Sequence, residues 1–358
     1  MKLETLLNKK DFTKEELIFL LGLEGEDMDK LLKKALEVKL KEVGNTVYLR
    51  GLIEYSNRCT KNCLYCGVRI GNDKVERYTV SDEDVFECVD LAMKIGYGSI
   101  AIQSGERSDK AFTDKITYLL HEIKKRSDGK IGVTLSCGEQ TEEVYKEWFE
   151  AGAHRYLLRI ETSNKELYYK IHPNDDMHSF EKRLDAIYSL KNQGYQTGTG
   201  VMIGLPTQTI EDLANDLLFF KKLDVAMVGM GPFIPHDDTP LSIYRDSIIS
   251  EQDRFDLTLK MVACLRLMMP RINMVAATAN QTIDPKGREK IVQAGANIIM
   301  PNLTPTRFRE NYLIYPNKAC VGDKPDECKN CLDLRLAAVK HKIGYNEWGD
   351  SKAFFIKD

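Results

Sequence analysis

Cys59, Cys63 and Cys66 stand in the stretch Cys59-Thr60-Lys61-Asn62-Cys63-Leu64-Tyr65-Cys66, a CxxxCxxC spacing with an aromatic residue just before the last cysteine. Three thiolates on one short loop can hold three irons of a cubane cluster, leaving the fourth iron without a protein ligand. An open coordination position separates a catalytic metal site from a closed structural one. The competing readings are weaker on chemical grounds. A zinc site wants four nitrogen or sulfur ligands, usually as paired knuckles, and the nearest histidine in sequence is His121. Disulfides are unexpected in a chain of nine cysteines that shows no secretory signal. Three unrelated buried thiols are the remaining reading.

The patterning around the loop indicates what positions it. Residues 12–44 read as two helices, with Thr13 as the first cap. The run Val47-Tyr48-Leu49-Arg50-Gly51-Leu52-Ile53-Glu54-Tyr55 is strand-like and leads directly into the cysteines. Further strands are expected at 99–103, 131–136, 154–160, 196–203, 226–229, 272–276 and 296–300. Helices are expected between them, at 81–95, 114–126, 142–151, 179–193, 210–222, 251–269 and 285–294. Alternating β and α elements imply a parallel sheet, and eight such units imply an α/β fold of the closed (βα)8 TIM type. A doubly wound open sheet is the alternative. In a barrel the active site lies at the C-terminal ends of the strands, which is where the cysteine loop falls. The expected organisation is an N-terminal helical extension over 1–46, a barrel over 47–302, and a C-terminal cysteine-containing extension over 303–358 with a last helix near 332–342.

Bulk properties agree with a globular enzyme. The 358 residues are 43% hydrophobic and 29% charged, with a formal net charge of -3. Nothing in that balance calls for a nucleic-acid or membrane partner. No apolar stretch approaches the roughly 20 residues needed to span a bilayer. A cytoplasmic setting with reduced thiols is expected, and an open cluster favours low oxygen. A monomer is expected.

These residues resemble the radical S-adenosylmethionine (SAM) superfamily, whose hallmark is CxxxCxxC. Within it the chain is similar to the [FeFe]-hydrogenase maturase family HydE. The likeness runs through Ser56-Asn57-Arg58-Cys59 to Arg69, then Ile102-Gln103-Ser104-Gly105-Glu106 and Val133-Thr134-Leu135-Ser136. It continues in Arg155-Tyr156-Leu157-Leu158-Arg159, Gly204-Leu205-Pro206, Gly231-Pro232-Phe233-Ile234-Pro235-His236 and Ile299-Met300-Pro301-Asn302. It ends in a second triad, Cys320-x7-Cys328-x2-Cys331. The methylornithine synthases are related in chemistry and architecture and lack that triad. Biotin synthases hold a second cluster on barrel strands, where this chain has only Cys137.

The resemblance implies a [4Fe-4S] cluster on Cys59, Cys63 and Cys66, and SAM cleaved by one electron to methionine and a 5′-deoxyadenosyl radical. It implies SAM contacts from Tyr65, Ser104, Gly105, Glu106, Ser136, Glu161 and Arg183. Gln103, Thr134, Arg155, Arg159, Thr278, Met300 and Tyr315 would face the substrate. Cys320, Cys328 and Cys331 would hold an auxiliary [2Fe-2S] or [4Fe-4S] cluster. The substrate would be an organometallic iron complex carrying cysteine, carbon monoxide and cyanide; a methylornithine synthase-like mutase would take an amino acid instead. Other hydrogenase maturation factors and a reduced electron donor would be partners. The chain departs from the family pattern at Ala277-Thr278, where two threonines are usual, and at Ile160, where histidine is usual. A changed hydrogen-bonding pattern in the cavity is expected. Read without the resemblance, Glu161 and Arg183 are a surface ion pair, Cys88 and Cys264 are core residues, and His236 is structural.

Overall fold

The computed structural model describes residues 2–322 and 325–355, without the side chains of 325–329. Ten strands run in chain order: β1 Thr46–Ser56, β2 Ser99–Ser104, β3 Gly132–Ser136, β4 Ala153–Leu157, β5 Gln196–Thr199, β6 Met202–Ile203, β7 Met227–Pro232, β8 Asn273–Ala276, β9 Ile298–Ile299 and β10 Lys342–Ile343. Every ladder among them is parallel. The order is β1-β2-β3-β4-β5-β7-β8-β9, and β9 returns to β1 at Tyr48↔Ile298 and Leu49↔Ile299, so the sheet closes into an eight-stranded barrel. The open-sheet alternative is thereby excluded. β6 continues the path of β5 and pairs with β7 at Met202↔Gly231. β10 pairs with the first residues of β1, at Thr46↔Lys342.

The expected elements are present with shifted limits. The fifth strand breaks at Gly200, where a Cβ would sit 1.7 Å from Gly229 O. Only the bare backbone lets the two strands approach there. The fourth strand ends at Leu157 rather than continuing to 160, because Glu161 turns the chain at a φ of 68°. The last helix begins at Pro325, before its apolar pattern starts, and ends at Ala338; proline is favoured in the first helical turn. The helix Lys165–Ile171 was not expected from the pattern.

Helix starts follow the capping residues. Thr13 forms a capping box with Glu16, and Ser81, Thr141 and Ser179 each accept from the third backbone N–H of their helices. The helix Glu251–Met268 is buried almost all round, because the helix Gly25–Glu42 covers its outer side. Cys88 and Cys264 are buried in the core, as expected. Among the described residues no helix is long and apolar enough to cross a membrane.

The floor of the barrel is closed by a strap around Trp348–Ser351. Asn273 Nδ2 donates to Gly349 O at 2.8 Å, and Ser351 N donates to Gln196 Oε1 at 2.9 Å. Arg155 on β4 donates to Trp348 O at 2.7 Å and to Asp350 Oδ1 at 2.6 Å.

Candidate active site

The loop after β1 has no ladder to satisfy its backbone, so side chains do it. Arg77 donates to four carbonyls: Asn57 O and Val68 O at 2.7 Å, Arg69 O at 2.6 Å and Asn72 O at 2.8 Å. Asn57 accepts from Tyr78 N at 2.8 Å and donates to Glu76 O and Asn311 O. The loop clamped in this way carries Cys59, Cys63, Cys66 and Tyr65 on the wall of a cavity of ≈ 360 Å³ at the C-terminal end of the barrel.

The loop after β2 fixes the first thiol. Glu106 N lies 3.3 Å from Cys59 Sγ, and Thr60 N and Oγ1 each donate to Glu106 O at 2.9 Å. Gly105 is required by this approach: a Cβ there would lie 2.5 Å from Arg58 O.

Four charges close into a ring beside the cysteines. Lys61 lies 2.9 Å from Glu106 and 3.0 Å from Glu139, and Arg183 lies 3.0 Å from Glu106 and 2.6 Å from Glu139. Burial works against charge on Lys61 and Arg183, but the two carboxylates outweigh it and raise both pKa values. On the far wall Glu161 receives Arg159 Nη2 at 2.7 Å and Nε at 2.9 Å, while Arg159 Nη1 donates to Gly229 O at 2.9 Å. Tyr65 packs edge-on to His172, its hydroxyl 3.2 Å from Nε2. Burial pulls His172 down to about 3, so the ring is neutral.

The donor set fits an iron–sulfur cluster. Burial pushes the Cys66 thiol up to about 12 and also raises Cys63 well above its ordinary value, and the neighbouring cysteines add to both shifts. Three partly exposed thiols on one loop are a soft donor set that a cationic metal centre would hold deprotonated. Among the described residues no three His, Cys, Asp or Glu side chains gather tightly enough for a single metal ion.

Most of the expected site residues meet in this cavity. Gln103, Ser104, Gly105, Glu106, Thr134, Ser136, Arg159, Glu161, Arg183, Thr278, Met300 and Tyr315 all line it with the cysteine loop. Glu161 and Arg183 are not a mutual surface pair; each is buried with another partner. Arg155 is a correction. It is 0% exposed and spends its guanidinium on the floor: Thr134 Oγ1 at 3.0 Å, Ser99 Oγ, Trp348 O and Asp350. Arg159 lies beyond the end of β4, on the cavity wall, whereas Arg155 lies on β4 at the opposite end of the barrel.

The second triad lies apart from that wall. Cys320 has a φ of 66° and sits 3.6 Å from Arg288 Nη2 and 4.0 Å from Gln281 Nε2. Cys331 is exposed on the helix Pro325–Ala338. The side chain of Cys328 lies outside the described residues.

Several cavity residues were not anticipated. Lys61 sat inside the cysteine motif, and Glu54 was, with Arg50, one of two charges in the largely apolar run 47–55, a usable signal. Lys318 had no local signal.

Comparison with known proteins agrees with this geometry. The family profile described as the radical SAM superfamily matches residues 53–220. The chain is 45% identical over 350 residues to the [FeFe] hydrogenase maturase subunit HydE of Thermotoga maritima, covering 98% of this chain and 97% of that protein. Among solved structures, methylornithine synthase (PylB) superposes with a TM-score of 0.79 at 24% identity, covering 96% of this chain and 97% of that one. HydG, a maturase of the [FeFe]-hydrogenase, superposes with a TM-score of 0.80 at 23% identity, covering 96% and 75%. The two structures share the fold.

Proposed function

Because the chain belongs to the radical SAM superfamily and, within it, to the [FeFe]-hydrogenase maturase HydE family, we propose that it acts in assembly of the di-iron subcluster of that hydrogenase, on an organometallic iron complex carrying cysteine, carbon monoxide and cyanide. The observation that carries this reading is that the CxxxCxxC thiols and the polar strand ends line one barrel cavity. When bound, a reduced [4Fe-4S] cluster supplies the electron that cleaves SAM to methionine and the 5′-deoxyadenosyl radical that attacks the substrate, at sulfur.

The protein's own residues bind and orient. Cys59, Cys63 and Cys66 would hold the cluster, and the N–H of Glu106 is placed to orient the Cys59 sulfur. Arg183 offers its guanidinium to the SAM carboxylate and Glu161 its carboxylate to the ribose. Tyr65, held by His172, faces the adenine. Ser104, Gly105 and Ser136 shape the wall at which the amino group lies. Gln103, Thr134, Arg159, Thr278, Met300 and Tyr315 surround the substrate deeper in the barrel. Ala277 replaces a threonine hydroxyl with a methyl, which removes one donor from that environment.

Residues 1–46 and 303–358 are read as extensions of the barrel, the second carrying an auxiliary cluster on Cys320, Cys328 and Cys331. A reduced electron donor and the other maturation factors are the partners. The test is reconstitution: the protein, added to the other maturation factors, restores activity to an inactive apo-hydrogenase, and Cys63→Ala does not. Equal performance of the two overturns the reading.

A further inference from the structure

One acid–base pair in the cavity has no task in that reading. Glu54, on β1, is 1% exposed, and Lys318 reaches in from beyond the barrel to pair with its Oε1 at 8% exposure. Asn302 Nδ2 donates to the other carboxylate oxygen at 2.9 Å, so both oxygens are oriented. The ammonium has three N–H donors; Glu54 takes one, and Tyr312 O accepts another at 3.4 Å. Both charged side chains line the cavity.

Stability does not explain the pair. Desolvating two charges costs about as much as their attraction returns, and apolar side chains of similar volume would anchor the segment as well. The other charged groups near the cavity mouth, the Lys61–Glu106–Arg183–Glu139 ring and the Arg159–Glu161 pair, stand at the SAM end. That ring shows how two acids and two bases alternate within 2.6–3.0 Å of one another in this protein. A ligand bearing one carboxylate and one ammonium on the same carbon completes an equivalent ring with Glu54 and Lys318. Its carboxylate goes to Lys318 and its ammonium to Glu54, so the Glu54–Lys318 pair is kept and each charge of the ligand meets an opposite one without leaving a buried charge alone.

We propose that Glu54 and Lys318 recognise an α-amino-acid group on the substrate. The inference rests on the radical SAM reading of the cavity and names a recognition element within it. Lys318 comes from the segment that follows the barrel, so ligand binding also secures that segment across the mouth.

The test uses the full-length reconstituted protein with SAM present, titrated calorimetrically with L-cysteine, with cysteamine, which lacks the carboxylate, and with 3-mercaptopropionate, which lacks the ammonium. Wild type is expected to bind L-cysteine at least about tenfold more tightly than either analogue. Lys318→Met loses the preference over cysteamine, and Glu54→Gln loses the preference over 3-mercaptopropionate, while Lys318→Arg keeps both. Equal affinity of wild type for the three probes overturns the inference. So does a parallel loss of SAM and L-cysteine affinity in both variants, the mark of a pair that only holds the segment. Where a variant does not fold, equal affinity of the wild type for the three probes still overturns the inference. Failure of the underlying reading is separately visible, as absence of SAM cleavage by the reduced wild-type protein.

Discussion

Arg155 Nη1 lies 2.6 Å from Asp350 Oδ1, tying the barrel wall to the strap that seals its floor. Burial pulls the guanidinium down to about 10 against the pull of Asp350. Removing the acid leaves a buried charge alone, which costs about 3–5 kcal/mol. Asp350→Ala should therefore unfold at clearly lower denaturant than wild type, with Asp350→Asn in between. A midpoint unchanged in Asp350→Ala would show that the strap is held by other contacts.

Arg77 makes four hydrogen bonds to the cysteine loop, each of about 1 kcal/mol net. The loop is local, so Arg77→Met should leave the thermal melting of the barrel nearly unchanged. Iron retained per chain after reconstitution and desalting should fall severalfold. Full iron retention in the variant would mean that the clamp does not preorganise the thiols.

The two cysteine triads should separate in an iron assay. Cys63→Ala is expected to lose SAM cleavage together with the signal of its reduced cluster. Cys320→Ala is expected to lose iron but to cleave SAM at a rate near that of wild type. Chelation that strips all iron should abolish cleavage, and anaerobic reconstitution should restore it. Cleavage lost in both variants would join the sites functionally.

Asp216 lies fully buried beneath the loop that carries Glu161 and accepts from Ser163 N and Oγ at 2.6 Å. Burial pushes its carboxyl up to about 7 from an ordinary 3.8, against those hydrogen bonds. The folded protein thus holds a proton that the unfolded chain has already released. Stability from this group is complete below pH 4 and declines as pH rises to about 7, by up to about 4 kcal/mol. Asp216→Asn should flatten that part of the stability profile. An unchanged slope between pH 4 and 7 in the variant would assign it to other groups.

The cysteine loop was legible because cluster ligation imposes a fixed local spacing, and the barrel because strand and helix periods alternate along the chain. Depth within the barrel was not legible. A period of two gives the face of a strand but not its end: Arg155 sits within β4 at the floor, and Arg159 lies past its last residue, Leu157, toward the mouth. Lys318 was invisible for another reason: its partner Glu54 is 264 residues away, and nothing near Lys318 distinguishes it from a solvated lysine. The charge ring was half legible. Glu106 and Arg183 were singled out as ligand contacts, but their direct pairing, and its closure into a ring by Glu139 and Lys61, needed three loops and the helix Phe180–Asn192 brought together.

The sealed floor has a kinetic consequence. With Arg155, Asn273 and Gln196 fastened to the strap, traffic into the barrel passes the rim that carries the cysteines. In the proposed reading, a substrate seated near Thr134 and Met300 would lie behind the SAM nucleoside, in the manner of a cartridge loaded before the bolt closes. Turnover is then compulsorily ordered: the deep reactant enters first and its product departs last. Saturating nucleoside should slow steady-state turnover by trapping empty barrels, and initial-rate patterns with both reactants varied will reveal that order.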